Sequence, residues 1–258
     1  MKRRLFVMRH AERMDVTFGN WISNCFDENC EYRRYDLNQP ASIPVREHPQ
    51  TYFKDSPLTT MGLYQSTLIG ESMRNSNVTF KHVYCSPAIR CIQTCANVLK
   101  ALGLSDLPIN IEYGLFEWMG WYHDMRPQWM SLEQLRSNGF NVNLDYKPVI
   151  AKGELEIRLA ETIAGYYERS FFVASSILSE TDGDVLFVAH AASLDVCTRK
   201  LVGKGPRHEQ EFIRLIPKIS YCAVIVAEES DDSWILAEPP MCSLTQSTNL
   251  RYDWKFLV

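Results

Sequence analysis

Arg9, His10 and Arg13 stand at the end of the apolar run Leu5-Phe6-Val7-Met8, and residues of these types at this spacing can do phosphoryl chemistry. Guanidinium forks pair bidentately with tetrahedral oxyanions, phosphate above all. An imidazole held among them is a nucleophile toward phosphorus. Taken alone, Arg-His-x-Glu-Arg describes a solvated strand terminus equally well, so the reading depends on matching parts elsewhere in the chain. Arg90 follows Ser86-Pro87, His190 follows the run Val185–Ala189, and Glu117 follows Ile109–Glu112. Phosphoryl transfer needs an in-line nucleophile, neutralisation of the equatorial oxygens and a proton for the leaving group. His10 is the candidate nucleophile, and neighbouring cations favour its neutral, nucleophilic form. Arg9, Arg13, Arg90 and a protonated His190 are the candidates for the phosphoryl oxygens. Glu117 is the candidate acid for the departing alcohol or phenol, then the base for the water that hydrolyses phosphohistidine. This set requires neither metal nor cofactor.

Residues so far apart in sequence meet only if the fold brings strand ends together. Leu5–Met8 reads as a buried strand, His82–Cys85 as a second, Ile109–Glu112 as a third and Asp184–Ala189 as the clearest of all. Late strands are expected near 221–227 and 234–236. Between them fall helical patterns: one capped by Thr59 or Thr60 and running to Arg74, one over 88–102 with Ser86 as N-cap and Pro87 at its first position, a short one over 132–136, an amphipathic one over 154–179, and one over 192–201. Strands alternating with helices predict a three-layer α/β/α sandwich with a mostly parallel central sheet. Parallel strands put their carboxyl ends on one edge, where such sheets bind ligands. Arg90, in the first turn of its helix, adds the partial positive charge of a helix N-terminus.

The chain has 258 residues, 46% of them hydrophobic and 12% aromatic, enough for a sizeable core. No repeat or Gly/Ser linker divides it, so a single domain over 1–258 is expected. Its weakly periodic segment 14–56 reads as a long insertion; the aromatics Phe18, Trp21, Phe26, Tyr32, Tyr35, Tyr52 and Phe53 argue against disorder there. Most of them are expected to cover core, with Phe18 and Trp21 the best placed to wall a pocket for an aromatic or steroid leaving group. A formal net charge of -4 argues against a nucleic-acid partner. No stretch approaches the roughly 18 apolar residues of a membrane span, and the apolar run after Met1-Lys2-Arg3-Arg4 is too short for a secretory signal. The eight cysteines follow no paired metal spacing, and Cys25 and Cys30 have no nearby histidine to complete a zinc site. Reduced thiols and a cytoplasmic location are the expectation.

Arg9-His10-Ala11, Ser86-Pro87-Ala88-Ile89-Arg90 and Val188-Ala189-His190 resemble the markers of the histidine phosphatases, the phosphoglycerate-mutase-like superfamily. Ala11 stands where that family usually has glycine. Glu12-Arg13-Met14-Asp15, Phe18-Gly19, Cys25-Phe26-Asp27, Tyr84-Cys85, Cys91-Ile92-Gln93-Thr94, Gly114–Trp118 and Ala189-His190-Ala191 narrow the resemblance to one branch. That branch joins the phosphatase domain of the suppressor of T-cell receptor signalling proteins with the insect ecdysteroid-phosphate phosphatases. The resemblance implies a phosphoglycerate-mutase-like fold and a metal-independent phosphomonoesterase with a phosphohistidine intermediate. It gives Arg9, His10, Arg13, Arg90, Glu117 and His190 the roles reached above. The implied partners are a phosphorylated small molecule, such as a steroid phosphate, or a phosphotyrosine protein, together with a second copy of the chain in a homodimer. The contrasting reading is a catalytically weak pseudo-phosphatase that grips phosphorylated partners, and Ala11 is the one motif departure that favours it.

Overall fold

The computed structural model describes residues 2–231 and 233–246; the last part of the expected 1–258 domain, residues 247–258, lies outside them. Leu5 to Met8 and Val185 to Ala189 expose none of their surface, which is possible only for strands covered on both faces. They belong to strands β1 (Arg4–Arg9) and β4 (Val185–Ala189). With β2 (His82–Cys85), β3 (Asn110–Ile111), β5 (Val224–Ser230) and β6 (Ser233–Ala237) they form, among the described residues, a sheet of order β3-β2-β4-β1-β5-β6. β3, β2, β4 and β1 run parallel, while β5 pairs antiparallel with both β1 and β6. The class is α/β, as the alternation of periods predicts.

Helices α1 (Met14–Phe18), α2 (Trp21–Cys25) and α3 (Thr60–Asn75) follow β1. Next come α4 (Ile89–Leu102), α5 (Leu132–Ser137), α6 (Lys152–Glu156), α7 (Ile163–Glu180), α8 (Ser193–Val196) and α9 (Glu209–Leu215). Thr59 caps α3 as expected, its hydroxyl accepting from Gly62 N at 2.9 Å. No described helix is long and apolar enough to cross a membrane.

The segment 14–56 folds around a small core of its own, in which Met14, Trp21, Cys25 and Tyr52 are buried and Phe18, Phe26 and Tyr32 pack against them. Side chain to backbone bonds hold its irregular chain: Tyr32 Oη donates to Pro40 O at 2.9 Å, and Gln39 Oε1 accepts from Tyr35 N at 2.8 Å. Such bonds have no sequence period, which is why this segment reads as unpatterned.

Three elements differ from expectation. The helix expected over 154–179 is broken at 157–162, where Glu161 binds a neighbouring loop, and α7 restarts behind a Thr162 cap. The strand expected from Tyr221 begins only at Val224, because Cys222, at φ +59°, turns the chain away, although Ala223 O still accepts Arg9 N at 2.9 Å. The helix expected over 192–201 stops at Val196 and continues as turns to Gly203.

Gly62 sets α3 against the end of β1. A Cβ there would lie 2.2 Å from Glu12 O, a backbone atom that cannot rotate away. Gly62→Ala is therefore expected to destabilise the protein by about 1–3 kcal/mol, read from the urea unfolding midpoint. An unchanged midpoint would mean that the Glu12–Arg13 backbone gives way.

Candidate active site

The sheet register brings the chemistry together. Arg9 lies opposite Ala189, and Cys85 opposite Val188, so His10, Ser86 and His190 leave the sheet side by side. His10 N donates to Ala189 O at 2.9 Å and Ser86 N to Val188 O at 3.0 Å, carrying the ladder to its last residues. The imidazole centroids of His10 and His190 are 5.5 Å apart.

His10 is 3% exposed, and its Nδ1 lies 2.8 Å from Ala11 O. A carbonyl only accepts, so Nδ1 carries the proton and the lone pair sits on Nε2, the nitrogen available for attack. Burial, then Arg90, Arg9, His190 and Arg13, hold the imidazole well below its ordinary pKa. Ala11 is itself buried, its N donating to Thr94 Oγ1 at 3.0 Å, and it is not among the residues with positive φ, so its methyl strains nothing.

His190 Nε2 lies 2.8 Å from Ser86 Oγ and its Nδ1 3.3 Å from Arg90 Nη2. A guanidinium only donates, so Nδ1 accepts and Nε2–H faces Ser86. Burial first, then Arg90, Arg13 and Arg9, keeps this imidazole well below its ordinary pKa as well. The cations that attract phosphate thus oppose the protonated His190 expected from sequence. A phosphate dianion reverses that balance by bringing negative charge against the ring.

Ser86 does not cap α4. Ala88 occupies the N-cap position without a side-chain bond, and Asp55 Oδ1 accepts Ile89 N at 2.9 Å instead. A carboxylate arriving from the end of the 14–56 insertion satisfies the helix terminus, which leaves the Ser86 hydroxyl to orient His190. Asp55 also pairs with Arg46 and lies 3.9 Å from Arg90 Nη1.

Arg90 is fully buried and pairs through Nη2 with Glu117 Oε1. Burial works against its charge, but Glu117 and then Tyr122 facing it raise its pKa above the ordinary value. Its Nε and Nη1, like Arg9 Nε, are buried donors with no hydrogen-bond partner among the described residues. Buried donors are normally satisfied, and donors of this kind fit the oxygens of a tetrahedral oxyanion. Arg9 Cζ lies over the Tyr221 ring, 4.1 Å from its centroid, and Arg13 is gripped by Asp15, with Nε 2.6 Å from Oδ1. Glu117 Oε1 also accepts Tyr122 Oη at 2.6 Å and lies 3.7 Å from His190 Nδ1.

All six residues derived from strand ends therefore converge. Of the two aromatics, Trp21 is 1% exposed inside the small core of the insertion, where it packs rather than faces a ligand, and Phe18 is half-buried edge-on to Tyr35. Sequence reasoning missed Asp55, Tyr122, Tyr221 and the orienting role of Ser86. Only Ser86 carried a signal, its place in Ser-Pro-x-x-Arg. Cys91 Sγ lies 3.8 Å from His190 Nε2, but burial pushes the thiol up to about 12, too high for thiolate chemistry. Among the described residues no group of three or more His, Cys, Asp or Glu is arranged to hold a metal ion.

Over 257 residues the chain is 45% identical to the ecdysteroid-phosphate phosphatase of Drosophila melanogaster, covering 99% of this chain and 34% of that protein. It is 40% identical over 263 residues to ubiquitin-associated and SH3 domain-containing protein B of Homo sapiens, covering 98% of this chain and 40% of that one. The chain thus spans less than half the length of either relative. The crystal structure of the ecdysone phosphate phosphatase of Bombyx mori in complex with tungstate is similar over 100% of both chains, at a TM-score of 0.87 and 32% identity. Residues 45–239 match the sequence profile of the Histidine phosphatase superfamily (branch 1). With paired histidines, converging arginines and a matching profile over most of its length, the chain belongs to the histidine phosphatase superfamily, branch 1.

Proposed function

We propose that this chain is a phosphomonoesterase that works through a phosphohistidine on His10 and takes esters of bulky apolar alcohols, steroid phosphates first among them. The observation that carries the reading is the His10 tautomer, which leaves Nε2 unprotonated, together with buried guanidinium donors of Arg9 and Arg90 that have no hydrogen-bond partner among the described residues. In the first half-reaction the Nε2 lone pair attacks phosphorus and the ester P–O bond breaks. Arg9, Arg13 and Arg90 take the charge on the equatorial oxygens. Glu117 enters this step as the acid, with its proton on Oε2 because Oε1 accepts from Arg90 and Tyr122, and gives that proton to the leaving oxygen. In the second, Glu117 takes a proton from water as that water attacks phosphorus, which releases phosphate and restores His10.

The steroid preference is supported by the two insect relatives, named for ecdysteroid phosphate and ecdysone phosphate. It is also supported by the insertion, which leaves the site at Arg13 and re-enters it at Asp55. Beside those two points in sequence it carries exposed apolar side chains, Val16 and Phe53, available to an apolar leaving group. With all six chemical groups in place, a pseudo-phosphatase is not favoured. The same reading includes a single catalytic domain, a homodimer that sedimentation would reveal, and, with eight free thiols, a cytoplasmic location.

The test is kcat/KM on a steroid phosphate and on a phosphotyrosine peptide, measured from pH 5 to 8. A steroid preference supports the substrate assignment, and a peptide preference overturns it. The pH profile tests the nucleophile. His10 is depressed in the folded protein, so it stays neutral as pH falls below 6.5, and the acid limb of the profile is expected below that value. Stability runs the same way: below 6.5 the unfolded chain binds protons that buried His10 and His190 refuse, so stability falls as pH falls.

A further inference from the structure

Arg169 lies on α7, outside every motif of the site, and is 3% exposed. Its Nη1 donates to Gly114 O at 2.7 Å and to Phe116 O at 2.9 Å, and its Nη2 donates to Glu117 O at 3.2 Å. Nε and Nη2 also bind the Glu161 carboxylate at 2.7 and 2.8 Å. Glu161 completes the grip: its carboxylate accepts Met119 N at 3.1 Å and its carbonyl accepts Trp118 Nε1 at 2.7 Å. Every residue from Gly114 to Met119 except Leu115 is thereby tied to one buried ion pair. This is the segment that carries Glu117, which itself lies between two short 3-10 turns, Tyr113–Leu115 and Met119–Tyr122, rather than inside an α-helix or strand.

We infer that Arg169 and Glu161 are positioning residues for acid catalysis, holding the Glu117 backbone so that its carboxyl delivers a proton to the leaving oxygen. The inference rests on the proposed role of Glu117. A buried ion pair is seldom the most stable way to fill a core, whereas a planar fork with five N–H donors fixes direction as well as distance. Three carbonyls converging on one guanidinium define the path of the loop. The carboxyl is then steered locally by Tyr122 and Arg90, which act on the side chain and not on the backbone. Proton transfer depends steeply on such placement.

The test compares two leaving groups. Nitrophenolate departs readily without a proton, while the alkoxide of benzyl phosphate must be protonated as the P–O bond breaks. Arg169→Lys keeps the charge that balances Glu161 but loses the fork. It is expected to lower kcat/KM for benzyl phosphate on the order of tenfold more than for para-nitrophenyl phosphate. Glu161→Gln loosens the grip from the other side and is expected to shift the same ratio in the same direction; it decides the matter if Arg169→Lys does not fold. A general loss of packing lowers both rates alike, so an equal fall in the folded variants would overturn the inference. Glu117→Gln separates this outcome from failure of the underlying reading. If Glu117→Gln is selective for benzyl phosphate and Arg169→Lys is not, only the positioning role falls. If Glu117→Gln is itself unselective, the acid assignment falls and the positioning role with it.

Discussion

His10→Ala removes turnover of para-nitrophenyl phosphate, with an expected fall in kcat on the order of 10^4-fold or more. No other group in the site can replace the lost nucleophile. His190 presents Nε2 to Ser86 and Nδ1 to Arg90, so its lone pair is already engaged. The thiol of Cys91, pushed up to about 12 by burial, is essentially all in its weakly nucleophilic form near neutral pH. Alanine leaves the ladder bond from residue 10 N to Ala189 O intact, so the fold is expected to persist and the loss to be chemical. Wild-type activity is expected to be unchanged in EDTA. Acid-labile but alkali-stable phosphate on the wild-type protein, absent from the variant, would identify the phosphohistidine directly. Activity that survives in a folded His10→Ala protein would show that the nucleophile lies elsewhere.

Arg90→Lys is expected to lower kcat about 10^2- to 10^3-fold, the usual effect of losing an aimed donor to the developing charge. Lysine offers a point charge in place of a fork. It cannot hold Glu117 through one nitrogen while turning its remaining donors to phosphoryl oxygens. The consequences for binding and for folding differ. Inhibition by inorganic phosphate is expected to weaken, because Nε and Nη1 of Arg90 are the buried donors assigned to the anion. Arg90→Ala would also leave Glu117 without its buried partner, at a cost of about 3–5 kcal/mol. Urea titration beside phosphate inhibition therefore separates the two effects. Unchanged phosphate inhibition in a folded Arg90→Lys protein would remove Arg90 from the anion site.

Which side chains meet was legible because parallel strands end on one edge. His10, Arg90 and His190 could be assigned to that edge from short apolar runs and a helix start, and their neighbours Arg9 and Arg13 came with them. Glu117 needed only its place after β3. The tautomer of His10 was not legible, since it depends on Ala11 O being 2.8 Å away. Nor was the capping of α4, where Ser86-Pro87 has the local form of a helix start. A carboxylate from the insertion took over the helix terminus and the serine turned to His190. Trp21 shows the same limit: an aromatic in an unpatterned loop looks alike in sequence whether it lines a pocket or seals a small core.

Legible in the sequence alone were the α/β class, a mostly parallel sheet, and the six polar residues that follow its strands. Those features follow from the period of apolar residues and from chain connectivity, which are local properties. How each group is oriented and held came from packing: Asp55 on α4, Ser86 on His190, Tyr122 on Glu117, and the Arg169–Glu161 pair on the loop 114–119. Each of these contacts joins distant elements through buried hydrogen bonds, and a buried bond depends on which donors and acceptors the packing leaves unsatisfied. That remainder is a property of the assembled core, so no local pattern of residues records it.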